Sequence, residues 1–256
     1  MEEPPPILEQ KPEVPRLRAM SLAARFLNVF AVPGDVFEEI KTSRFSAANW
    51  LVPILLLAAV GALSAFVTFS QPAIKQQVRE LQAKGMDKQV QAGKIKQEDA
   101  DKVLAMIEKF TVPLAVVSVV AVSVARVFWW ALVLRLLGLW FLKVPLGYLK
   151  NLEVAGLAMM INVLGSVVTL LLTVNLARLV ATPSLALVIS DFDATRKSHL
   201  MMGAVNVFSF WFIGVVSAGL ARLAGVPFLK AAFLVFAYWL FQESLFILSG
   251  LGQFAL

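Results

Sequence analysis

The sequence predicts an all-α fold: a polytopic membrane helix bundle with about five transmembrane spans and an amphipathic N-terminal segment. Of its 256 residues, 59% are hydrophobic and the mean hydropathy is +0.78, whereas soluble domains are about 45–50% apolar. The apolar residues form long runs with few charges, and a run of about 18 or more crosses a bilayer as a helix. Period-2 alternation of apolar and polar residues is absent, which excludes a transmembrane barrel.

Composition also limits the chemistry that the chain can perform. There are no cysteines, which excludes disulfides, thiol catalysis and cysteine-ligated zinc. The formal net charge is +6, and basic residues that flank spans at an anionic membrane surface account for it. We therefore expect the lipid bilayer as a partner, no nucleic acid and no cofactor.

The N-terminal region divides into two segments before the first apolar run. Residues 1–15 are rich in proline and glutamate and predict a disordered tail. Residues 16–48 predict an amphipathic interfacial segment, in which Pro33-Gly34 separates a first helix from a short second one at 35–41.

The first of these helices, residues 16–30, has two distinct faces. Arg18 and Arg25 fall on the polar half, and Phe26 and Phe30 fall on the apolar half. Such a helix suits the membrane interface, with its arginines towards lipid phosphates. The alternative is that it packs on the membrane domain of the same protein, and the residues alone leave both interpretations open.

The membrane domain is predicted at residues 49–250 and is followed by a short C-terminal tail at 251–256. A polar excursion at 71–110 interrupts the domain, with eight Lys/Arg and six Asp/Glu. Its periodicity predicts one helix ending at Gly85 and a second that leads into the membrane, as a helical hairpin. The hairpin is either a solvated loop or a dedicated partner site. Five spans are expected, at residues 49–69, 111–134 or further, 154–176, 202–221 and 228–250.

Three stretches carry a resemblance to a known family. They are FLNVFAVPGDVFEEIKTSRFSAANWLVPILLLAAVGAL, KVPLGYLKNLEVAGLAMMINVLGSVV and VFSFWFIGVVSAGLARLAGVPFLKAAF. In this order they resemble the Ypt-interacting-protein (Yip) domain family, in its bacterial branch. The resemblance implies a five-span helical domain in the bacterial inner (plasma) membrane with a cytosolic N-terminus. Eukaryotic members are implicated in membrane trafficking and bind small GTPases, and the bacterial branch has no activity that can be carried over.

Four polar residues within the expected spans are candidates for function, because polar groups inside a bilayer are costly. Arg126 and Glu243 are the ionisable candidates and predict an ion pair, which either fixes helix register or serves transport. Asn162 and Asn206 lie among small and hydroxylated residues. Such residues either line a cavity or form hydrogen bonds between helices.

One loop offers weak signals for a metal site. Asp191 and Asp193 precede His199 in the connection before the fourth span. A single histidine with two loop carboxylates is a poor metal signature, and capping of the next helix explains these residues better.

These observations predict a non-enzymatic integral membrane protein of the Yip type that organises the membrane or recruits partners. The sequence offers no metal set, no Ser-His arrangement and no paired intramembrane carboxylates for an enzyme. This role predicts a sealed bundle with an exposed surface, at 16–41 or 71–110, for a protein partner or a homo-oligomer. The alternative is a small transporter or channel, with a polar cavity lined by Arg126, Asn162 and Glu243.

Overall fold

The computed structural model describes residues 20–189, 192–193 and 196–249. The tails expected at 1–15 and 251–256 therefore lie outside the described residues. The described part of the chain contains nine α-helices. They are α1 Leu22–Ala31, α2 Pro33–Thr42, α3 Ala48–Ser70, α4 Pro72–Gln91, α5 Gln97–Leu137, α6 Tyr148–Leu176, α7 Lys197–Ala204, α8 Val207–Ala224 and α9 Phe228–Ser249.

Five helical segments have the length and apolar character to cross a membrane, which confirms the expected span count. They are α3, the Lys109–Leu142 part of α5 with the π-helical turn that ends it, α6, α8 and α9. Since successive spans run in opposite directions, each end of the bundle collects a fixed set of loops. We call the end where α3, α6 and α9 begin the N-side, and the opposite end the C-side.

Two span boundaries differ from those expected. The third span begins at Tyr148 rather than at residue 154, because the charges of Lys150 and Glu153 are paired and stay within the helix. The fourth begins at Val207 rather than at residue 202. The helix is interrupted before Val207, because the side chain of Asn206 accepts a hydrogen bond from the Phe208 amide and caps α8.

Helix α6 lies at the centre of the bundle. It packs against α3, α5 and α8, and α8 in turn packs against α9. Its N-terminal half is almost entirely buried. Gly156 permits a close approach of two backbones, since a Cβ atom built there would lie 2.3 Å from the Cα of Trp50 in α3. This contact brings the start of α3 against the first turns of α6.

The two N-terminal helices cross the N-side of the bundle. Ser21 caps α1 by accepting a hydrogen bond from the Ala24 amide, and Pro33 occupies the first turn of α2. Helix α1 contacts α6, and α2 contacts α8. Val29, Phe37 and Ile40 are fully buried. The structure therefore favours the interpretation in which this segment packs on the protein's own membrane domain.

A helical hairpin formed by α4 and the start of α5 lies on the C-side. The expectation that its first helix ends at Gly85 is wrong, because α4 continues to Gln91 and the turn follows at Gly93, where φ is +68°. Long helix-forming side chains flank Gly85, so one glycine does not end the helix. The carboxamide of Gln77 anchors α4, donating to the Ala177 carbonyl and accepting from the Leu179 amide.

Candidate functional site

A buried polar network joins α1, α2, α3 and α6 at the N-side. Its centre is Glu153, which is fully buried. One carboxylate oxygen of Glu153 accepts hydrogen bonds from the Ser46 amide at 2.9 Å and the Asn49 carboxamide at 2.7 Å. The other oxygen accepts from the Lys150 ammonium at 2.8 Å. All of these bonds satisfy one carboxylate that would be costly to bury alone.

Asn49 connects this carboxylate to a second ion pair. Its side-chain oxygen accepts a hydrogen bond from the Arg25 guanidinium at 3.1 Å. Arg25 also lies 2.9 Å from the carboxylate of Glu39, and their side chains are only 12% and 10% exposed. The same carboxylate oxygen of Glu39 accepts from the Met20 amide. The carboxamide of Asn49 in α3 thus bridges two ion pairs whose members come from α1, α2 and α6.

The network has balanced charge, and among the described residues one carboxylate oxygen of Glu39 and the Nε of Arg25 are buried in it without a hydrogen-bond partner. Its two acids, Glu39 and Glu153, face two bases, Arg25 and Lys150. Both oxygens of Glu153 accept hydrogen bonds, so this carboxylate is not available as a general base. Chemically, the arrangement holds α1 and α2 against the membrane domain.

Three of the residues expected at the membrane interface contact other parts of the protein. Arg25 faces Glu39 and Asn49 rather than lipid phosphates. Phe26 and Phe30 are partly buried against the core, and the Phe30 ring meets Trp211 edge-to-face. The physical reason is that an acid and an amide from other helices accept hydrogen bonds from the two terminal nitrogens of the guanidinium inside the protein. Arg18 lies outside the described residues.

The network was missed at the sequence level, although two signals point to it. Glu39 follows Val36 by three positions and so shares a helix face with this fully buried residue. Lys150 and Glu153 stand three residues apart directly before a long apolar run. An acid on the apolar face of an amphipathic helix predicts a buried partner.

The charges of Arg126 and Glu243 attract each other. The two side chains are not among the described ion pairs within 4.0 Å. Arg126 precedes Leu142 by 16 residues and Glu243 follows Phe228 by 15, so both lie about 22–24 Å from the N-side. Arg126 is exposed at the bundle surface rather than enclosed, and Glu243 is half-buried. A hydrogen bond from Trp239 also reaches Glu243.

A line of hydrogen bonds that sequence reasoning missed runs beside this pair. The indole of Trp129 donates to the Tyr238 hydroxyl at 2.7 Å. That hydroxyl donates in turn to the Gln242 carboxamide at 2.9 Å. These hydrogen bonds join α5 to α9. No periodic pattern in the sequence predicts them.

The two asparagine candidates do not lie with this pair. Asn162 donates to the sulfur of Met159 within α6 at 3.1 Å. Asn206 caps α8 at the C-side and is not within a span, which corrects its expected placement. Nearby, the Asp193 amide donates to His199 at 2.9 Å, and Asp191 lies outside the described residues.

Two clefts open on the surface of the described residues, and neither is lined by Arg126, Asn162 or Glu243. A cleft of about 520 Å³ lies on the N-side between α2 and the α8–α9 turn. A groove of about 470 Å³ lies on the hairpin between α4 and α5. The arrangement expected for a transporter, a cavity lined by those three side chains, is not formed by either cleft.

Comparison with known proteins identifies one family. The family model described as Yip1 domain matches residues 27–251. No curated protein and no solved structure matches the chain.

Proposed function

The chain belongs to the Yip1 domain family, and from this premise we propose that it is a non-enzymatic membrane scaffold that recruits a protein partner. That it is an integral membrane protein follows from the family and from its five apolar helices. The proposal concerns the role of the bundle and of the surfaces that it exposes.

Support for a non-enzymatic role comes from the chemistry of the buried network. Its two carboxylates and two cations come from three helices and form ion pairs with one another, and Asn49 of a fourth helix joins the two pairs. Among the described residues, no group of three or more His, Asp or Glu side chains is placed to hold a metal ion. A mutually neutralised network suits a rigid platform better than a reaction centre.

The observation that carries the recruiting role is an apolar stripe on the hairpin. Met106, Phe110, Leu114 and Val117 recur at helical spacing on α5 and are 59%, 51%, 64% and 64% exposed. The groove beside α4 is lined by three of them. Exposed apolar stripes of this kind are typical of surfaces that bind a partner helix.

The position of this stripe along α5 distinguishes it from an ordinary lipid-facing surface. Phe110 precedes Leu142 by 32 residues, or about 48 Å of helix. Even at a tilt of about 40°, that residue is about 37 Å from the N-side, beyond the roughly 30 Å hydrocarbon core. Only part of so long a helix fits within the hydrocarbon core, and a partner protein covers the stripe where it extends beyond the core, near Phe110.

Photo-crosslinking in native membranes tests this proposal. A crosslinking residue placed at Phe110 is expected to yield a discrete protein adduct that Leu114→Lys abolishes. The control position is Phe233, an exposed residue of α9 at 71% exposure, which should yield lipid adducts alone. Lipid adducts alone at Phe110 as well would contradict a recruiting role.

The proposal also places the N-terminus in the cytosol and the chain in the bacterial inner membrane. The family resemblance supports this orientation, and so do basic residues on the N-side such as Lys41, Arg44 and Lys143. The eight basic residues of the hairpin oppose that trend. Reporter fusions at residue 5 decide between the two orientations, and a periplasmic signal contradicts the one proposed.

A small transporter is the second candidate, and one set of contacts favours it. Arg126 and Glu243 interact inside the span region, beside the line that runs from Trp129 through Tyr238. Glu243 is the titratable acid that a proton pathway through the spans would use. In proteoliposomes, a solute or proton flux that is lost in Glu243→Gln would favour transport. Vesicles that contain the parent chain and show no flux would exclude it.

A further inference from the structure

The N-side cleft differs from the hairpin groove in the charge of its lining. Helix α2 contributes Gly34, Glu38 and Lys41, and the end of α8 contributes small residues and Arg222. The cleft has a volume of about 520 Å³. Two cations and one acid line it, so its net charge is positive.

The guanidinium of Arg222 is placed over the cleft by the backbone beneath it. A Cβ atom built at Gly34 would lie 3.2 Å from one terminal nitrogen of Arg222. The glycine therefore leaves space for the guanidinium. Its other terminal nitrogen lies 3.8 Å from the carboxylate of Glu38, and both side chains are about half exposed. This pair is long and solvated, and most of the five N–H donors of Arg222 remain available to a ligand.

The level of the cleft relative to the membrane restricts what can enter it. Helix α8 ends at Ala224, Gly225 makes the turn with a φ of +66°, and α9 begins at Phe228. The cleft therefore opens where two spans meet the N-side boundary, at the depth of lipid headgroups. Val226 and Phe228 line its rim, and the ring of Phe228 is 53% exposed.

We propose that this cleft binds the phosphate of an anionic phospholipid from the N-side leaflet. Arg222 donates its N–H groups to the phosphate oxygens, and the Lys41 ammonium adds a second charge-assisted contact. The acyl chains leave past Val226 and Phe228 into the hydrocarbon core. The apolar rim selects a lipid over a soluble phosphate, which would leave that rim uncovered. This site is independent of the recruiting surface on the hairpin.

The test uses the full chain in phosphatidylcholine nanodiscs, to which phosphatidylglycerol is added. Bound lipid is counted by native mass spectrometry, and thermal unfolding reports stabilisation by the lipid. The test variant is Lys41→Gln with Arg222→Gln. The matched control is Arg44→Gln with Lys143→Gln, which removes the same charge from exposed N-side positions outside the cleft.

We expect the cleft variant to bind phosphatidylglycerol at least about tenfold more weakly, the cost of losing charge-assisted hydrogen bonds. The affinity of the control variant for phosphatidylglycerol should stay within about twofold of that of the parent chain. Equal losses in both variants would show that general surface charge attracts the lipid and would overturn the site.

A competition with soluble phosphates and a folding control complete the test. Inorganic phosphate or glycerol 3-phosphate that displaces the lipid at equal concentration would assign the cleft to a soluble phosphate and overturn the lipid assignment. Unfolding of each variant is first measured in phosphatidylcholine alone. If the double variant fails to fold, Lys41→Gln alone is used, since that side chain is exposed at the end of α2. Unchanged lipid binding in that variant would also overturn the proposal.

Discussion

Two amphipathic, charged segments flank the first span, and the protein uses them in opposite ways. In α1 and α2, Arg25 and Glu39 are buried and paired, and the apolar faces are covered by α6 and α8. In the hairpin, the charged side chains that the structure describes are exposed, and an apolar stripe including Phe110 and Leu114 is left uncovered. The difference arises far along the chain, where Glu153 supplies the N-side segment with a buried anchor.

An amphipathic pattern indicates that one face of a helix is covered, but it does not indicate what covers that face. An apolar stripe with a flanking acid or base is satisfied equally by lipid, by a partner or by the same chain. The deciding feature is a polar group that only another helix can satisfy, as Asn49 does for Arg25 and for Glu153. In the hairpin, Gln77 anchors α4 to the end of α6, and the apolar stripe on α5 stays exposed.

The largest expected effect is at the anchor itself. Glu153→Ala leaves Lys150 and Asn49 without their common partner, and removing one member of a buried pair costs about 3–5 kcal/mol in the free energy of unfolding. Glu98→Ala, an exposed acid of the hairpin, is the matched control and should change stability little. Thermal and chemical unfolding in detergent measure both, and equal effects would contradict the contrast between the two regions.

The glycines of the two regions provide the next contrast. Gly156→Ala forces a Cβ atom against the backbone of Trp50, and overpacking of this kind costs about 1–3 kcal/mol. Gly85→Ala meets nothing within 4 Å and should stabilise α4 by about 0.5–1 kcal/mol, because alanine favours a helix. Opposite signs in unfolding measurements are expected, and a destabilised Gly85→Ala protein would mean that the hairpin is covered.

Oppositely charged residues of the two regions should differ in their energetic coupling. In a double-mutant cycle, Arg25→Met with Glu39→Met is expected to show a coupling of about 1–3 kcal/mol, since both side chains are nearly buried. Glu98→Ala with Lys102→Ala in the hairpin should show no coupling above experimental error, because solvent screens exposed pairs. Similar coupling in both cycles would remove the distinction.

How far the sequence predicts this molecule depends on the kind of signal. Long apolar runs locate all five spans, since a helix that crosses lipid must satisfy its own backbone. The starts at Tyr148 and Val207 were missed, because they depend on a paired charge and on the cap formed by Asn206. The network around Glu153 joins residues up to 107 positions apart, a distance that no local pattern reports.

The smallest expected effect concerns the pair expected within the spans. Arg126→Leu with Glu243→Leu should show a coupling of about 0.5–1 kcal/mol, because the two charges interact without a direct contact within 4.0 Å. Unfolding in detergent provides the four free energies of the cycle. Strict additivity would show that each charge is stabilised separately, Glu243 by Trp239.

Hydrogen exchange of the full chain tests the central contrast most directly. If the N-side segment is clamped and the hairpin is open, the amides of α1 and α2 exchange about as slowly as those of α6, and those of α4 exchange much faster. Asn49→Ala, which removes the bridge between the two ion pairs, should then speed exchange in α1 and α2 while leaving α4 unchanged. Equal protection of both regions, or an α1–α2 segment that exchanges as fast as α4 in the parent chain, would contradict the clamp.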